Sequence, residues 1–403
     1  MSDSDDHFVR FEGHTLLKHR ILRAYLSAWA FKLLQGRNEQ VYFIDAFAGE
    51  GRDHEGNPGS PLIAAKIASE VAGKIAPEHP RQRLFVFAIE NLAKRHDRLK
   101  ACLTPFGPDH PGHVEVRLGE LPAFIDEIVA KARDAAALYF LDPFGIKGLD
   151  ATTYPKALRG PQNEIFALFA DMGASRLYGL VTAESFDLEE RLRSIRDVPS
   201  LFPEMGQAEE EVVTRDALEH QRALDYSQGP SRHHLTTALG GDHWMAELEG
   251  QPPHKRGAIF LALFIQKLFQ SGARFVLSLP MRNEQGARIY SLVYATKSEA
   301  GLLAMKDAVS SGLNRGLLPQ EVVDRIREDL TAPIEDIVQL LGLKFAGRAV
   351  SWSQEVRRAI LTMTPAFNFQ TDAIQARLNE LGRIDLAPSG KIARPIVCRF
   401  PPK

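Results

Sequence analysis

Short apolar segments alternate with helix-forming segments across residues 41–296, and this alternation constrains the fold more than any single motif. Five apolar segments read as buried strands, at 41–45, 83–90, 113–118, 136–141 and 164–169. Strands separated by helices pair in parallel through right-handed crossovers. Two more strands, 274–280 and 287–296, are joined by a link too short for a crossover helix, so they must form an antiparallel hairpin. The pattern predicts an α/β fold with a mostly parallel, seven-stranded sheet that ends in an antiparallel hairpin.

The remaining segments predict how the chain is divided. A leader with one amphipathic helix occupies 1–40, the α/β domain 41–300 with a helical insertion at 173–250, and connecting helices 301–345. Residues 346–403 show two helices and a hairpin, which suggests a small winged-helix-like module. Its basic residues are diluted by acids, so packing, partner binding and nucleic-acid binding all remain open for it.

The leader helix, residues 14–34, has two interpretations. Leu17, Ile21, Tyr25 and Trp29 recur every four residues, as in a helix that packs on a sheet. The alternative is a lid over a ligand, with Lys18 or Tyr25 at its edge.

Composition excludes few function classes. The 403 residues carry a formal net charge of −2, which argues neither for nor against nucleic acid, because a local basic face can exist within a balanced total. The two cysteines, Cys102 and Cys398, are far apart in sequence, which predicts a reduced, cytoplasmic protein. No apolar run approaches the roughly 20 residues of a membrane span. The adjacent His233 and His234 lack the spacing of a metal site, and no metal is expected.

The first strand runs directly into residues 45–51, DAFAGEG. Asp45 would lie at the carboxyl end of the strand, where open α/β sheets bind their ligands. Gly49 and Gly51 would let the backbone approach a ligand closely. Gly59-Ser60-Pro61 then begins a helix. An ordinary tight turn explains the same residues, and the dinucleotide pattern G-x-G-x-x-G is not met.

The second and fourth strands also end in acids. Glu90 follows the second strand, where a carboxylate could hold a ribose diol, although an exposed strand-end acid would look the same. Asp142, Pro143 and Phe144 follow the fourth strand. A carboxylate and a nearby carbonyl that accept both N–H bonds of an exocyclic amine would localise its lone pair, and an aromatic ring could stack on the base. A strand-ending turn with Phe144 in the core is the alternative.

These residues together resemble class I S-adenosylmethionine-dependent methyltransferases and, more narrowly, the three-Cys-motif partner proteins (TcmP). The resemblance covers roughly residues 14 to 310. The matching stretches are Phe43-Ile44-Asp45-Ala46-Phe47-Ala48-Gly49, Gly59-Ser60-Pro61, Asp142-Pro143-Phe144-Gly145, and residues 290–297 running into Gly301 and Met305-Lys306.

The resemblance implies a Rossmann-like methyltransferase fold that binds S-adenosylmethionine. It implies catalytic roles for Asp142, Pro143 and Phe144, and donor binding by Asp45, Phe47, Gly49, Gly51, Ser60, Glu90 and Glu120. It also implies a substrate amino group on a base of DNA or RNA, and a radical-type partner enzyme that carries the three-cysteine motif. Amino-methylating families usually have Pro-Pro after the acid, whereas here Phe144 follows Pro143 directly, and some tRNA guanine-N2 methyltransferases have a similar turn. The base therefore stays open, and a catalytically silent protein of the same fold that binds nucleic acid or its partner protein is the alternative.

Overall fold

A computed structural model describes residues 13–36, 38–75, 81–143, 145–169, 179–182, 187–197, 230–314, 316–385 and 397–400. Its main sheet has the strand order β3-β2-β1-β4-β5-β8-β7-β6. The strands are β1 Gln40–Asp45, β2 Arg83–Glu90, β3 Val114–Leu118, β4 Ala136–Leu141, β5 Glu164–Phe169, β6 Gly179–Thr182, β7 Phe275–Arg282 and β8 Arg288–Thr296.

Helices cover both faces of this sheet. In chain order they are α1 Gly13–Leu34, α2 Ser60–Ile75, α3 Ala93–Leu103, α4 Leu121–Lys131, α5 Tyr154–Ala157, α6 Leu188–Asp197, α7 Pro230–Leu239, α8 Trp244–Leu248, α9 Pro253–Gln270, α10 Glu299–Leu313 and α11 Gln320–Leu330. Successive strand residues point to opposite faces, so Phe43 belongs to the core under α1, α2 and α10, and Ile44 to the core under α4 and α9.

The predicted α/β, Rossmann-like fold is confirmed. β1 to β5 are parallel, and β8 lies antiparallel between β5 and β7, as a terminal hairpin inserted beside the fifth strand. All seven predicted strands are present, and β6 adds an eighth at the edge of the sheet, antiparallel to β7. This strand, Gly-Leu-Val-Thr, lies in the segment predicted to be a helical insertion. Four residues are too few to show a strand period, and the strand exists because the open edge of β7 offers it hydrogen bonds.

A buried hydrogen-bond network fixes α1 to the sheet. The Tyr25 hydroxyl donates to Glu164 Oε2 at 2.5 Å and lies 2.6 Å from the Tyr294 hydroxyl, while Thr296 Oγ1 donates to Glu164 Oε1 at 3.0 Å. Glu164 is the first residue of β5, at the opposite end of the sheet from the carboxyl ends of the parallel strands. Tyr25 therefore lies away from the predicted ligand edge, and it serves the packing interpretation of α1.

The C-terminal segment has its own core. It contains α12 Ile334–Lys344, β9 Ala349–Ser351, a π-helical turn Trp352–Val356, α13 Arg357–Met363, a 3-10 turn Asn368–Gln370, α14 Thr371–Glu380, β10 Ile384–Asp385 and β11 Val397–Arg399. The three strands pair in the order β10-β11-β9. Ile337 and Leu341 of α12 pack in the same cluster as Ile360 and Leu378, so this core includes a helix assigned from the sequence to the connecting segment. The division of the chain into domains stays a prediction.

A buried lysine attaches this segment to α10. Lys306 is fully buried, and its ammonium donates to the carbonyl oxygens of Thr364 at 2.9 Å and Ala366 at 2.7 Å. Burial lowers the pKa of Lys306 well below its usual value. The two carbonyls and the nearby ring of Phe367 supply the electron-rich surroundings that a buried ammonium needs.

Candidate active site

Three acidic side chains meet at the carboxyl edge of the sheet. Asp45 ends β1, Glu90 ends β2, and Asp142 follows β4 directly. These strands are neighbours in the order β2-β1-β4, and the bonds from the Ala46 N–H to Phe140 O and from the Ala48 N–H to Ile89 O continue the pairing past the end of β1. The topology therefore brings together residues that are nearly a hundred positions apart in the chain.

Asp45 is a fully buried carboxyl group with an incomplete set of partners. Its Oδ1 accepts the Phe47 N–H at 3.2 Å, whereas Oδ2 has no hydrogen-bond partner among the described residues. The pKa of Asp45 is raised to about 7, chiefly by burial and also by the nearby Asp142, while the Ser60 hydroxyl, the Phe47 N–H and Lys18 oppose the shift. A buried oxygen without a partner is costly to maintain and indicates a place for a ligand donor.

Glu90 holds the glycine loop in place. Its Oε2 accepts the Gly49 N–H at 2.9 Å, and its Oε1 accepts the Leu92 N–H at 2.9 Å. Gly49 and Gly51 have φ angles of 63° and 86°, in the left-handed region that favours glycine. A Cβ on Gly51 would also lie 3.0 Å from the Leu99 side chain, so both conformation and space select glycine there. Each Glu90 oxygen keeps a lone pair for a ligand.

The loop between the glycines and α2 is closed on itself. Asp53 accepts the Asn57 N–H and side-chain amide, each at 2.7 Å, and the Gly59 N–H donates to Gly51 O at 2.8 Å. This closure places Ser60, the first residue of α2, beside Asp45, where Ser60 is buried.

Asp142 is paired with a lysine from α1. Lys18 Nζ donates to Asp142 Oδ2 at 2.6 Å, and Lys18 is only 7% exposed. Lys18 thus lies beside Asp142 at the predicted ligand edge, while the lid interpretation of α1 stays a prediction. Pro143 is buried next to Asp142, and Phe144 lies outside the described residues.

Phe47 and Glu120 lie at the borders of this edge. Phe47 is half-buried, and its ring fills the space beside Gly148, where an added Cβ would lie 2.6 Å from it. Glu120 is exposed and accepts the side-chain amide of Asn91 at 3.2 Å. The residue that precedes α3 at its cap position is Leu92, whose side chain makes no capping bond. The Glu90 carboxylate binds the Leu92 N–H instead.

Two exposed leucines beside Glu90 escaped the sequence analysis. Leu92 is 46% exposed and Leu118 is 50% exposed. Leu118 is the register partner of Glu90 across β2 and β3, which places both leucines at the same edge as the carboxylates. From the sequence, a leucine near the end of a strand is usually a core residue. Only the position of these two leucines, after strands that end at the same edge, could have indicated that they are exposed.

The buried carboxyl groups predict a measurable pH dependence. Burial raises the pKa of Glu164 from 4.5 to about 7. A folded-state pKa above the unfolded one stabilises the protein at low pH, and this contribution is lost as pH rises through 7. We expect the free energy of unfolding of wild type, minus that of Glu164→Gln, to fall by about 3 kcal/mol between pH 4 and pH 8.

This difference is the quantity to measure, by urea denaturation at several pH values. Burial lowers the pKa of His14 to about 4 and of His19 to about 3, and these groups act on stability in the opposite direction. Both histidines are present in wild type and in the variant, so their contributions cancel in the difference between the two free energies of unfolding. A difference that does not change with pH would show that Glu164 is ionised in the folded protein.

Comparisons with known proteins identify no family for this chain. No protein-family model matches the sequence, and no curated protein matches it. Among solved structures, the chain resembles that of PKMT2 from Rickettsia typhi in complex with AdoHcy, with 11% identity and a TM-score of 0.23. The match covers 72% of this chain and 56% of that one. The chain thus spans little more than half of that protein, and so weak a likeness does not bear on activity. Among the described helices, none is long and apolar enough to span a membrane.

Proposed function

We propose that this protein is an S-adenosylmethionine-dependent methyltransferase that acts on an exocyclic amino group of a nucleic-acid base. The observation that carries the proposal is the convergence of Asp45, Glu90 and Asp142 at the carboxyl ends of three neighbouring strands, beside a glycine loop. Open α/β sheets bind ligands at this edge.

The residues present fit the donor. Its cationic methionine end would be held by the Asp45 oxygen that has no described partner, and Ser60 lies beside the same carboxyl group. Glu90 would bind the ribose hydroxyls, since its orientation is already fixed by two backbone N–H groups. The floor of the donor site would be formed by Phe47, Gly49 and Gly51. For the adenine, Leu92 and Leu118 offer apolar surface and Glu120 offers a hydrogen-bond acceptor.

Asp142 would act on the substrate. When bound, the donor supplies an electrophilic methyl group on a sulfonium. Asp142 would accept one N–H of the target amine, and the carbonyl of Pro143 the other, which localises the nitrogen lone pair for in-line attack. The proton that the amine loses can pass to the Asp142 carboxylate. Phe144 is proposed to stack on the base.

A partner enzyme with the three-cysteine motif belongs to the same proposal, on the resemblance of residues 43–49, 59–61, 142–145 and 290–306 to the TcmP family. This chain has only Cys102 and Cys398, so the partner rather than this chain would carry the metal cluster.

The second candidate is a silent protein of this fold that binds nucleic acid or its partner. It is favoured by the C-terminal segment, where α13 and α14 precede the strand pair β10 and β11, as in a winged helix. For this candidate, a protein partner suits the surface of the C-terminal segment better than nucleic acid does. The one arginine of α14, Arg377, is paired with Glu335 and Glu380 and is therefore not available to phosphates.

Calorimetric titration with S-adenosylmethionine separates the two candidates. We expect binding whose enthalpy depends on the buffer near pH 6.5, because a cationic ligand beside Asp45 lowers its pKa from about 7 and releases a proton. Glu90→Gln should weaken binding about tenfold to a hundredfold through the lost charged acceptor. Glu127→Gln, an exposed acid on α4, is the matched control and should bind as wild type does. Absence of binding at near-millimolar donor would remove the enzyme and leave the second candidate.

A further inference from the structure

The Lys18 ammonium has more hydrogen-bonding capacity than the protein uses. An ammonium carries three N–H donors. Among the described residues, Lys18 Nζ makes one hydrogen bond, to Asp142 Oδ2 at 2.6 Å. The side chain is buried on α1, with 8% of its surface exposed, so two donors remain to be satisfied within the site.

Acceptors without partners lie at the same place. Asp45 Oδ2 is buried and has no partner among the described residues. Asp142 is half-buried, and only its Oδ2 accepts a hydrogen bond in the described structure. Asp45 is close to this ion pair, since the charges of Lys18 and Asp142 both act on its pKa. Since the proposed function gives the Asp45 oxygen to the methyl donor, the remaining donors of Lys18 and the free oxygen of Asp142 are left side by side. A substrate that satisfies both must itself carry an acceptor next to a donor.

We propose that Lys18 is a specificity-determining residue that donates to the ring atom next to the target amine, while Asp142 accepts from the amine itself. This inference rests on the proposed function. It assigns the substrate to the class in which an amino group is attached beside a ring nitrogen that accepts a hydrogen bond. The amino groups of adenine, cytosine and guanine satisfy this condition, whereas an alkylamine such as a lysine side chain has no acceptor at that position.

The pairing with Asp142 also explains why Lys18 stays in place when substrate binds. Moving the ammonium away from Asp142 would leave a buried charge uncompensated, which is strongly destabilising. The alternative is that Lys18 blocks the site and must leave before the amine can enter. The two roles predict opposite effects of removing the ammonium, because a recognition residue speeds transfer and a blocking residue slows it.

The test combines a change in the protein with a change of one ring atom in the substrate. Methyl transfer from labelled S-adenosylmethionine is measured on single-stranded DNA and RNA oligonucleotides that contain adenine, cytosine or guanine. It is measured again on those with 1-deazaadenine, 3-deazacytosine or 3-deazaguanine, in which C–H replaces the ring nitrogen beside the amine. Wild type, Lys18→Met and Lys32→Met are compared. Lys32 lies on the exposed side of α1, so its replacement is the matched control.

For the base that is methylated, we expect wild type and Lys32→Met to lose about tenfold to a hundredfold in rate on the deaza analogue, the value of a hydrogen bond to a charged group. Lys18→Met should be slow on both substrates and should hardly distinguish them. If Lys18→Met melts below the assay temperature, Lys18→Gln replaces it. Its neutral amide keeps one donor and should reduce the discrimination to a few-fold.

Three outcomes would overturn the inference. Lys18→Met that discriminates as strongly as wild type would show that another group contacts the ring nitrogen. Lys18→Met that outpaces wild type on the natural base would show that Lys18 blocks the site. In both cases wild-type transfer would leave the proposed function intact, whereas no transfer by wild type to any oligonucleotide, despite donor binding, would remove the proposed substrate class and the inference with it.

Discussion

Asp142→Ala is expected to lower the rate of methyl transfer by about a thousandfold or more while S-adenosylmethionine still binds. The alanine removes the side chain proposed to accept from the target amine, and such groups contribute two to four orders of magnitude to the rate. The donor contacts proposed for Asp45 and Glu90 are made by other residues and should persist. Asp142→Asn keeps an acceptor oxygen without the charge, so its rate of methyl transfer should fall between those of wild type and Asp142→Ala.

The measurement pairs labelled-donor transfer with calorimetric donor binding on the same preparations. Asp142→Ala also leaves the buried Lys18 ammonium without its partner, which should cost about 3–5 kcal/mol of unfolding free energy. The double variant Lys18→Met/Asp142→Ala removes both charges and should recover most of that stability. If the stable double variant still transfers methyl groups at a wild-type rate, Asp142 has no role in the chemistry.

Gly301→Ala should destabilise the protein strongly, by about 3–5 kcal/mol. Gly301 lies in the first turn of α10, directly over the buried network of Tyr25, Glu164 and Tyr294. A Cβ there would overlap Glu164 Oε1 and lie 2.7 Å from the Tyr294 hydroxyl. The network cannot move away without breaking hydrogen bonds that have no water to replace them.

Gly73→Ala provides the matched control, because Gly73 is also a helical glycine but has open space around its Cβ position. Alanine should stabilise α2 there by about 0.5–1 kcal/mol. Urea unfolding of the two variants should therefore give changes of opposite sign. A small effect at Gly301, comparable to that at Gly73, would mean that the network under α10 is looser than its distances indicate.

Much of the site was accessible from the sequence because parallel sheets follow simple rules. Asp45, Glu90 and Asp142 each come directly after a buried apolar run, and parallel strands place such residues at one edge. The glycines at 49 and 51 were likewise predicted from the need for backbone freedom, and both have positive φ. Local patterns were less informative where tertiary contacts decide, as for the edge strand β6, which pairs with a strand almost a hundred residues later in the chain.

The sequence by itself determined the fold class, since the spacing of apolar runs and the short hairpin link permit few topologies other than this sheet. Only the tertiary structure decided which partners those residues meet. It paired Lys18 with Asp142 across 124 positions and joined Tyr25 to Glu164 and Tyr294. The physical reason is that periodicity records which face of a helix is buried, whereas a buried polar atom is satisfied by whichever group the packed chain brings within hydrogen-bonding distance.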